Sequence, residues 1–126
     1  MTSTNMQRTN IKNPNSMKVT AVIIGRNEEQ FIARAIQSVL DTEDSFSGLE
    51  VVFVDSASTD RSVEIASEYP IRILQLRADW PLCVAAGRYT GVRYSRGEYI
   101  LFLDGDSEVG SRWLVDAVAF MDSNPE

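Results

Sequence analysis

Tyr99–Asp106 reads YILFLDGD, five consecutive apolar residues followed by two aspartates straddling a glycine. A run this apolar offers no polar face to solvent, so it predicts a strand covered on both sides, as in a parallel sheet. Asp104-Gly105-Asp106 ends that strand, where glycine permits an unusual backbone angle and close approach of a ligand. Upstream, Gly97 marks the break after a helix predicted over Leu82–Tyr94, with Pro81 suited to its first position. Gly87 and Gly91 each cost about 1 kcal/mol in a helix interior, which hints at close packing or an approaching ligand. Downstream, a helix over Ser111–Met121 is expected to carry Trp113, Leu114, Ala117, Val118 and Met121 on one face.

Further out, the same alternation continues to the start of the ordered pattern. Val19–Ile24 (VTAVII) and Leu49–Val54 (LEVVFV) read as buried strands, and Ile71–Leu76 (IRILQL) as a third in that series. After the first comes GRNEEQ (25–30), where Asn27 is a candidate helix cap and Gln30 sits at the capping-box position. Glu28 and Glu29 would then suit the positive end of the helix dipole. Phe31, Ile32, Ala35, Ile36, Val39 and Leu40 recur at helical spacing. After the second strand, DSASTD (55–60) is a hydroxyl-rich loop whose Asp55 and Asp60 are candidate caps of a short helix ending before Pro70. The order βαβαβαβα predicts an α/β fold: a three-layer α/β/α arrangement, a mainly parallel sheet and right-handed crossovers.

Composition narrows the chemistry. The chain has 126 residues with 12 Lys+Arg, 18 Asp+Glu, no His and one Cys, giving a net charge of −6. That length suits one domain. Without His there is no Ser–His or Cys–His nucleophile pair and no His-ligated metal. One cysteine excludes an internal disulfide and a thiolate zinc site. Cys83 is expected to be a small buried hydrophobe, and Trp80 and Trp113 packing residues. The acidic balance argues against nucleic acid or an anionic membrane as partner. No signal peptide or membrane span is apparent, so a reducing, cytoplasmic setting is expected. Residues 1–17 are polar and Asn-rich, and read as a flexible tail ahead of a domain over 18–126.

In open α/β sheets ligands bind at the carboxyl ends of the strands, where strand order switches. Those ends carry Gly25–Glu29, then Asp55, Ser56, Ser58 and Asp60, then Asp104 and Asp106. There is no GxGxxG, and Gly105–Arg112 lacks the lysine of a P-loop. An acidic crevice takes a polyphosphate only through a cation, and Mg²⁺ or Mn²⁺ accept one or two carboxylates plus phosphate and water. One of Asp104 and Asp106 would ligate the metal while the other meets it too, or a sugar hydroxyl or the metal's water.

Val19–Leu40 with its GRNEE turn, VVFVDSASTDRS, GRYTGVRYSRGEYILFLDGD and SRWLVDAV together resemble, in order and spacing, the N-terminal half of family-2 glycosyltransferases. Those are inverting enzymes of the GT-A fold that use nucleotide-diphosphate sugars. The resemblance implies that Ile24–Glu29 lines the nucleotide, with Asn27 and Glu28 at the turn. It implies that Asp55 binds base or ribose and that Arg88 faces the diphosphate. It further implies that Asp104 contacts the ribose or the metal's water and that Asp106 ligates the metal, Mn²⁺ or Mg²⁺. Ser56 stands where many members carry a second acid that reads the base, and Tyr89 where an Asn is common. The family's catalytic base and acceptor site follow the DxD, so this chain is expected to be a donor-binding fragment, inactive alone, whose acceptor is defined elsewhere. Removal of the partner half would expose apolar surface and favour self-association.

Two rivals have a similar outline. A phosphoacceptor receiver domain needs an acceptor Asp after strand three and a Lys after strand five. Here Gln75-Leu76-Arg77 follows strand three, and Lys12 and Lys18 are the only lysines. A non-catalytic nucleotide-binding module would use nearly the same residues as the enzyme.

Overall fold

The computed structural model describes residues 4–9, 17–79 and 83–124. Its elements are β1 (Thr4–Arg8), β2 (Met17–Gly25), α1 (Ile32–Leu40), β3 (Leu49–Asp55), α2 (Ser62–Ala66), β4 (Arg72–Gln75), α3 (Val84–Tyr94), β5 (Gly97–Asp104) and α4 (Ser111–Ser123). The five strands form one sheet in the order β1-β5-β2-β3-β4. β2 pairs in parallel with both β3 and β5, and β3 with β4. Every parallel pair is joined through a helix, as such pairs require.

The central strands are buried on both faces, as their composition demands. From Tyr99 to Leu103 no residue is more than 2% exposed. Full burial of each such side chain contributes about 1.5–3 kcal/mol. Val19, Ala21, Ile23, Val51, Phe53, Leu101 and Leu103 face α1, α2 and α4, whose Ile32, Ile36, Val39, Ala66, Leu114 and Val118 complete that core. On the opposite face Val22, Val52, Val54, Ile100 and Phe102 form a second core, against which Ala86 of α3 packs.

The glycines of α3 serve that second interface. A Cβ at Gly87 would lie 2.7 Å from Ile24 Cγ2, and one at Gly91 only 2.3 Å from Val22 Cγ1. Of the two explanations open from the sequence, close packing is the one realised.

The sheet departs from expectation at its edge. Within the stretch read as a flexible tail, Thr4–Arg8 pairs antiparallel with β5, from Thr4↔Leu103 to Arg8↔Tyr99. The apolar β5 needs a neighbour on that side to satisfy its backbone groups. Met6 packs against the core, and the Arg8 guanidinium donates to the carbonyls of Met121 and Asn124 at the end of α4.

Smaller corrections concern local geometry. α1 begins at Ile32, so Asn27 and Gln30 do not cap it, and Phe31 is exposed and off the buried stripe. α3 runs from Val84; the start expected at Pro81, with Trp80 and Leu82, lies outside the described residues. Trp113 lies half-exposed on the outer side of α4, while Leu114 and Val118 turn inward. Gly97 belongs to β5, and its missing Cβ leaves room for Thr20 on β2.

At the amino end of the strands a buried carboxylate ties three segments together. Glu50 accepts hydrogen bonds from Thr20 Oγ1 (2.9 Å), Arg72 Nη1 (3.0 Å), and the backbone N and Nε of Arg96 (3.0 Å each). Burial alone would raise its carboxyl, but these donors outweigh that and hold it below the ordinary glutamate value.

Candidate functional site

α1, after β2, packs on one face of the sheet and α3, before β5, on the other, so the strand order reverses between β2 and β5, which pair in register out to Ile24↔Asp104 at this switch point. There Gly105 N donates to Ile24 O at 2.8 Å, and Ser56 N to Gly25 O at 2.9 Å, which draws three loops together. Between them lies an open cavity of about 400 Å³ lined by Ile24, Gly25, Arg26, Glu28, Ser56, Cys83, Asp104, Gly105 and Asp106.

Two glycines keep the floor low. A Cβ at Gly25 or at Gly105 would sit 3.0 Å from Glu28 Cγ, so the Glu28 side chain lies across both. That places three carboxylates together. Burial, then the negative charges of Asp106, Asp104 and Asp60, push the Glu28 carboxyl above its ordinary value. Burial and then the charge of Asp106 likewise raise Asp104, against the opposing pull of Arg88. Arg88 projects from α3 with its guanidinium 5.1 Å from the centroid of the Phe102 ring, flanking the cavity without lining it.

The wall beside Glu28 is laced to the loop after β3. Three successive backbone N–H groups donate to three side chains: Asn27 to Ser58 Oγ (2.8 Å), Glu28 to Ser62 Oγ (2.8 Å) and Glu29 to Asp60 Oδ2 (3.1 Å). In return Thr59 N donates to Asn27 Oδ1 at 2.8 Å. Asn27 (φ 55°) and Ala57 (φ 57°) both adopt the left-handed conformation that these turns require, one that asparagine tolerates well. Asp60 accepts from Ser62 N at 2.9 Å and from Ser62 Oγ at 2.6 Å. Partial burial would raise its carboxyl, but these donors and Glu29 N–H hold it below the usual range.

Of the residues singled out in the sequence, Ile24, Glu28, Ser56, Asp104 and Asp106 meet at the cavity. Asn27 and Asp55 do not line it. Asn27 turns its carboxamide to Thr59, and Asp55 is buried with its carboxylate accepting from Ser58 N and Oγ. Sequence reasoning missed Cys83, and took in Arg26 only as part of the Ile24–Glu29 segment. Cys83 is exposed at the cavity rim and not a buried hydrophobe, because the chain reaches α3 there in extended conformation. Arg26 was readable as the one cation inside the GRNEE turn.

The donor set is all oxygen, which suits Mg²⁺ or Mn²⁺. Among the described residues no group of three or more His, Cys, Asp or Glu is arranged to hold a metal alone. A cation held by Asp104 and Asp106 would therefore need phosphate and water to complete its shell.

Residues 20–126 match the profile described as glycosyl transferase family 2, and the chain belongs to that family. The curated relative poly(ribitol-phosphate) β-N-acetylglucosaminyltransferase TarS of Staphylococcus aureus is 29% identical over 112 residues, covering 86% of this chain and 19% of TarS. The crystal structure of S. aureus TarS 1–349 in complex with UDP-GlcNAc superposes with a TM-score of 0.72 at 30% identity, over 85% of this chain and 32% of that one. A mannosyltransferase from Pyrobaculum calidifontis, solved with GDP-Man and Mn²⁺, gives a TM-score of 0.62 at 25% identity, over 86% of this chain and 33% of that one. The fold is thus the GT-A fold expected from the sequence. The chain spans about a fifth of the length of the curated relative and about a third of the two solved structures. No helix among the described residues is long and apolar enough to cross a membrane.

Proposed function

We propose that this chain forms the donor-binding half of an inverting family-2 glycosyltransferase and holds a nucleoside-diphosphate sugar with a divalent cation. One observation carries the reading: Glu28, Asp104 and Asp106 converge on a cavity at the switch point of the sheet, with Arg88 beside it. Carboxylates crowded this way repel a bare diphosphate and welcome a cation, which then neutralises the leaving diphosphate. Asp106, exposed at the mouth, and Asp104, half-buried on β5, are the proposed metal-side ligands. Ile24 and Gly25 give the nucleoside an apolar floor, and Ser56 and Arg26 supply polar contacts at its edge. Asp55 acts on the base or ribose by shaping the Ser56–Ser58 turn, since its own oxygens are occupied by Ser58. Arg88 offsets charge on the diphosphate side. Transfer also requires a base at the acceptor hydroxyl. None of the residues gathered at the cavity is assigned that role, so the isolated chain binds donor without turning it over.

Thermal unfolding with UDP, GDP, CDP or dTDP, each with and without Mn²⁺, tests the reading on wild type and Asp106→Ala. A ligand at 100 times its dissociation constant adds about 2.7 kcal/mol, a shift of several degrees in a domain this size. Stabilisation that needs both nucleotide and metal and vanishes in Asp106→Ala is the expected outcome. Equal stabilisation of both proteins would refute the assignment of Asp106.

A further inference from the structure

Glu28 is the member of the carboxylate group that comes from neither end of the Asp-Gly-Asp turn, and its backbone belongs to no helix or strand. Something must hold it over Gly25 and Gly105, and the hydrogen bonds to the N–H groups of Glu28 and Glu29 trace to one residue. Asp60 reaches Glu29 N directly through Oδ2. Through Oδ1 it fixes Ser62, whose hydroxyl donates to Asp60 and is left to accept Glu28 N–H at 2.8 Å. Ser62 is completely buried, so its hydroxyl has no water to fall back on. Asp60 itself does not line the cavity.

We propose that Asp60 is a positioning residue for the donor site, one that sets the place of the Glu28 carboxylate through the backbone N–H groups of Glu28 and Glu29. The proposal rests on the donor-binding reading and adds to it a residue that touches neither sugar nor metal. The Asp60–Ser62–Glu28 chain holds the N–H side of a turn whose carbonyl side, Glu28 O, accepts from Phe31 N at 3.0 Å and Ile32 N at 2.8 Å where α1 begins. Loss of an outer partner of this kind typically weakens metal binding ten- to a hundredfold. Charge alone is not the device, since removing a negative charge near the carboxylates would ease their repulsion. The two effects of Asp60, geometric and electrostatic, therefore have separable signatures.

The test compares wild type, Asp60→Ala and Asp60→Asn by amide hydrogen exchange without ligand and by calorimetric titration with Mn²⁺–UDP and Mn²⁺–GDP. Asp60→Asn keeps the Oδ1 acceptor for Ser62 but puts an amide where Oδ2 accepts from Glu29. It should lose protection at Glu29, keep it at Glu28, and bind within about threefold of wild type. Asp60→Ala should lose protection at both amides and bind about tenfold or more weakly. Val118→Ala, a core change under α4 and remote from the cavity, supplies the comparison for a general loss of stability and should bind like wild type. Unchanged protection in Asp60→Ala overturns the proposal, and so does lost protection with undiminished binding or weakening matched by Val118→Ala. A wild type that binds neither nucleotide while the two variants still lose protection as described would overturn both donor reading and positioning role, yet leave the lacing itself established.

Discussion

Replacing Gly91 by alanine should destabilise the chain although alanine is the better helix former. The added Cβ would lie 2.3 Å from Val22 Cγ1 and 3.0 Å from Cγ2. More than 1 Å of overlap must then be absorbed by moving α3 off the sheet, because Val22 is fully buried at its centre. Overpacking typically costs about 1–3 kcal/mol, and an overlap this deep belongs at the upper end. Helix propensity returns about 1 kcal/mol, leaving a net loss of about 2 kcal/mol. With a urea slope of about 2 kcal/mol/M the unfolding midpoint falls by about 1 M. Val22→Ala alone removes two methyl groups and should cost about 2 kcal/mol. In the double variant the new methyl occupies the vacated space, so the losses should fall short of additivity by about 2 kcal/mol. A Gly91→Ala protein more stable than wild type, or strict additivity in the double variant, would refute the close-packing account of α3. The same displacement would carry Arg88 away from Asp104, so nucleotide binding should weaken along with stability.

Four other measurements bear on the structure. Glu50→Gln should cost about 2–3 kcal/mol, less than a fully buried ion pair because Arg72 and Arg96 are partly solvated. Since the Glu50 carboxyl lies below its ordinary value of 4.5 in the folded state, its stabilisation is present above that pH and is lost as pH falls through the folded value; acid unfolding of Glu50→Gln should lack that component. Asp104→Asn should act oppositely. Its carboxyl is raised, so ionisation opposes folding: the variant should melt higher than wild type at pH 7 without metal, lose that advantage below pH about 4, and gain nothing from Mn²⁺ with nucleotide. Alkylation of Cys83 by a maleimide, followed by mass spectrometry, should slow when Mn²⁺ and the preferred nucleotide are present. Deleting residues 1–9 should open the edge of β5 and drive self-association visible by light scattering; a monomer at high concentration would count against β1 as the cover of that edge.

What could be read in advance follows from how local each cause is. YILFLDGD and LEVVFV announce strands because burial on both faces shows in the residues themselves, and both are strands here. Thr4–Arg8 (TNMQR) carries no such signal. Its pairing is imposed by the open edge of β5, almost a hundred residues away. Asn27 and Gln30 look like a capping box because a cap is local, yet Asn27 is claimed by Thr59 across the loops and α1 starts later. The carboxylates of the site were legible as polar residues at strand ends, whereas the engagement of Asp55 by Ser58 depends on a left-handed Ala57 that no propensity suggests. Cys83 was misjudged because its type favours burial and its position at the cavity rim is set by tertiary structure.

The strand order has a consequence for synthesis on the ribosome. β1 and β2 are neighbours in sequence, but β5 lies between them in the sheet and is made after the other four described strands. Until Asp104 emerges, β2 has only β3 on its flank and β1 has no partner. Until then the nascent chain exposes the apolar edge of its central strand, the condition under which unfinished sheets aggregate. Because β5 also delivers Asp104 and Asp106, its insertion both closes the sheet and creates the candidate binding site. A chain stalled short of that point would carry neither a sealed edge nor a ligand site, so bound nucleotide and metal would report completed insertion.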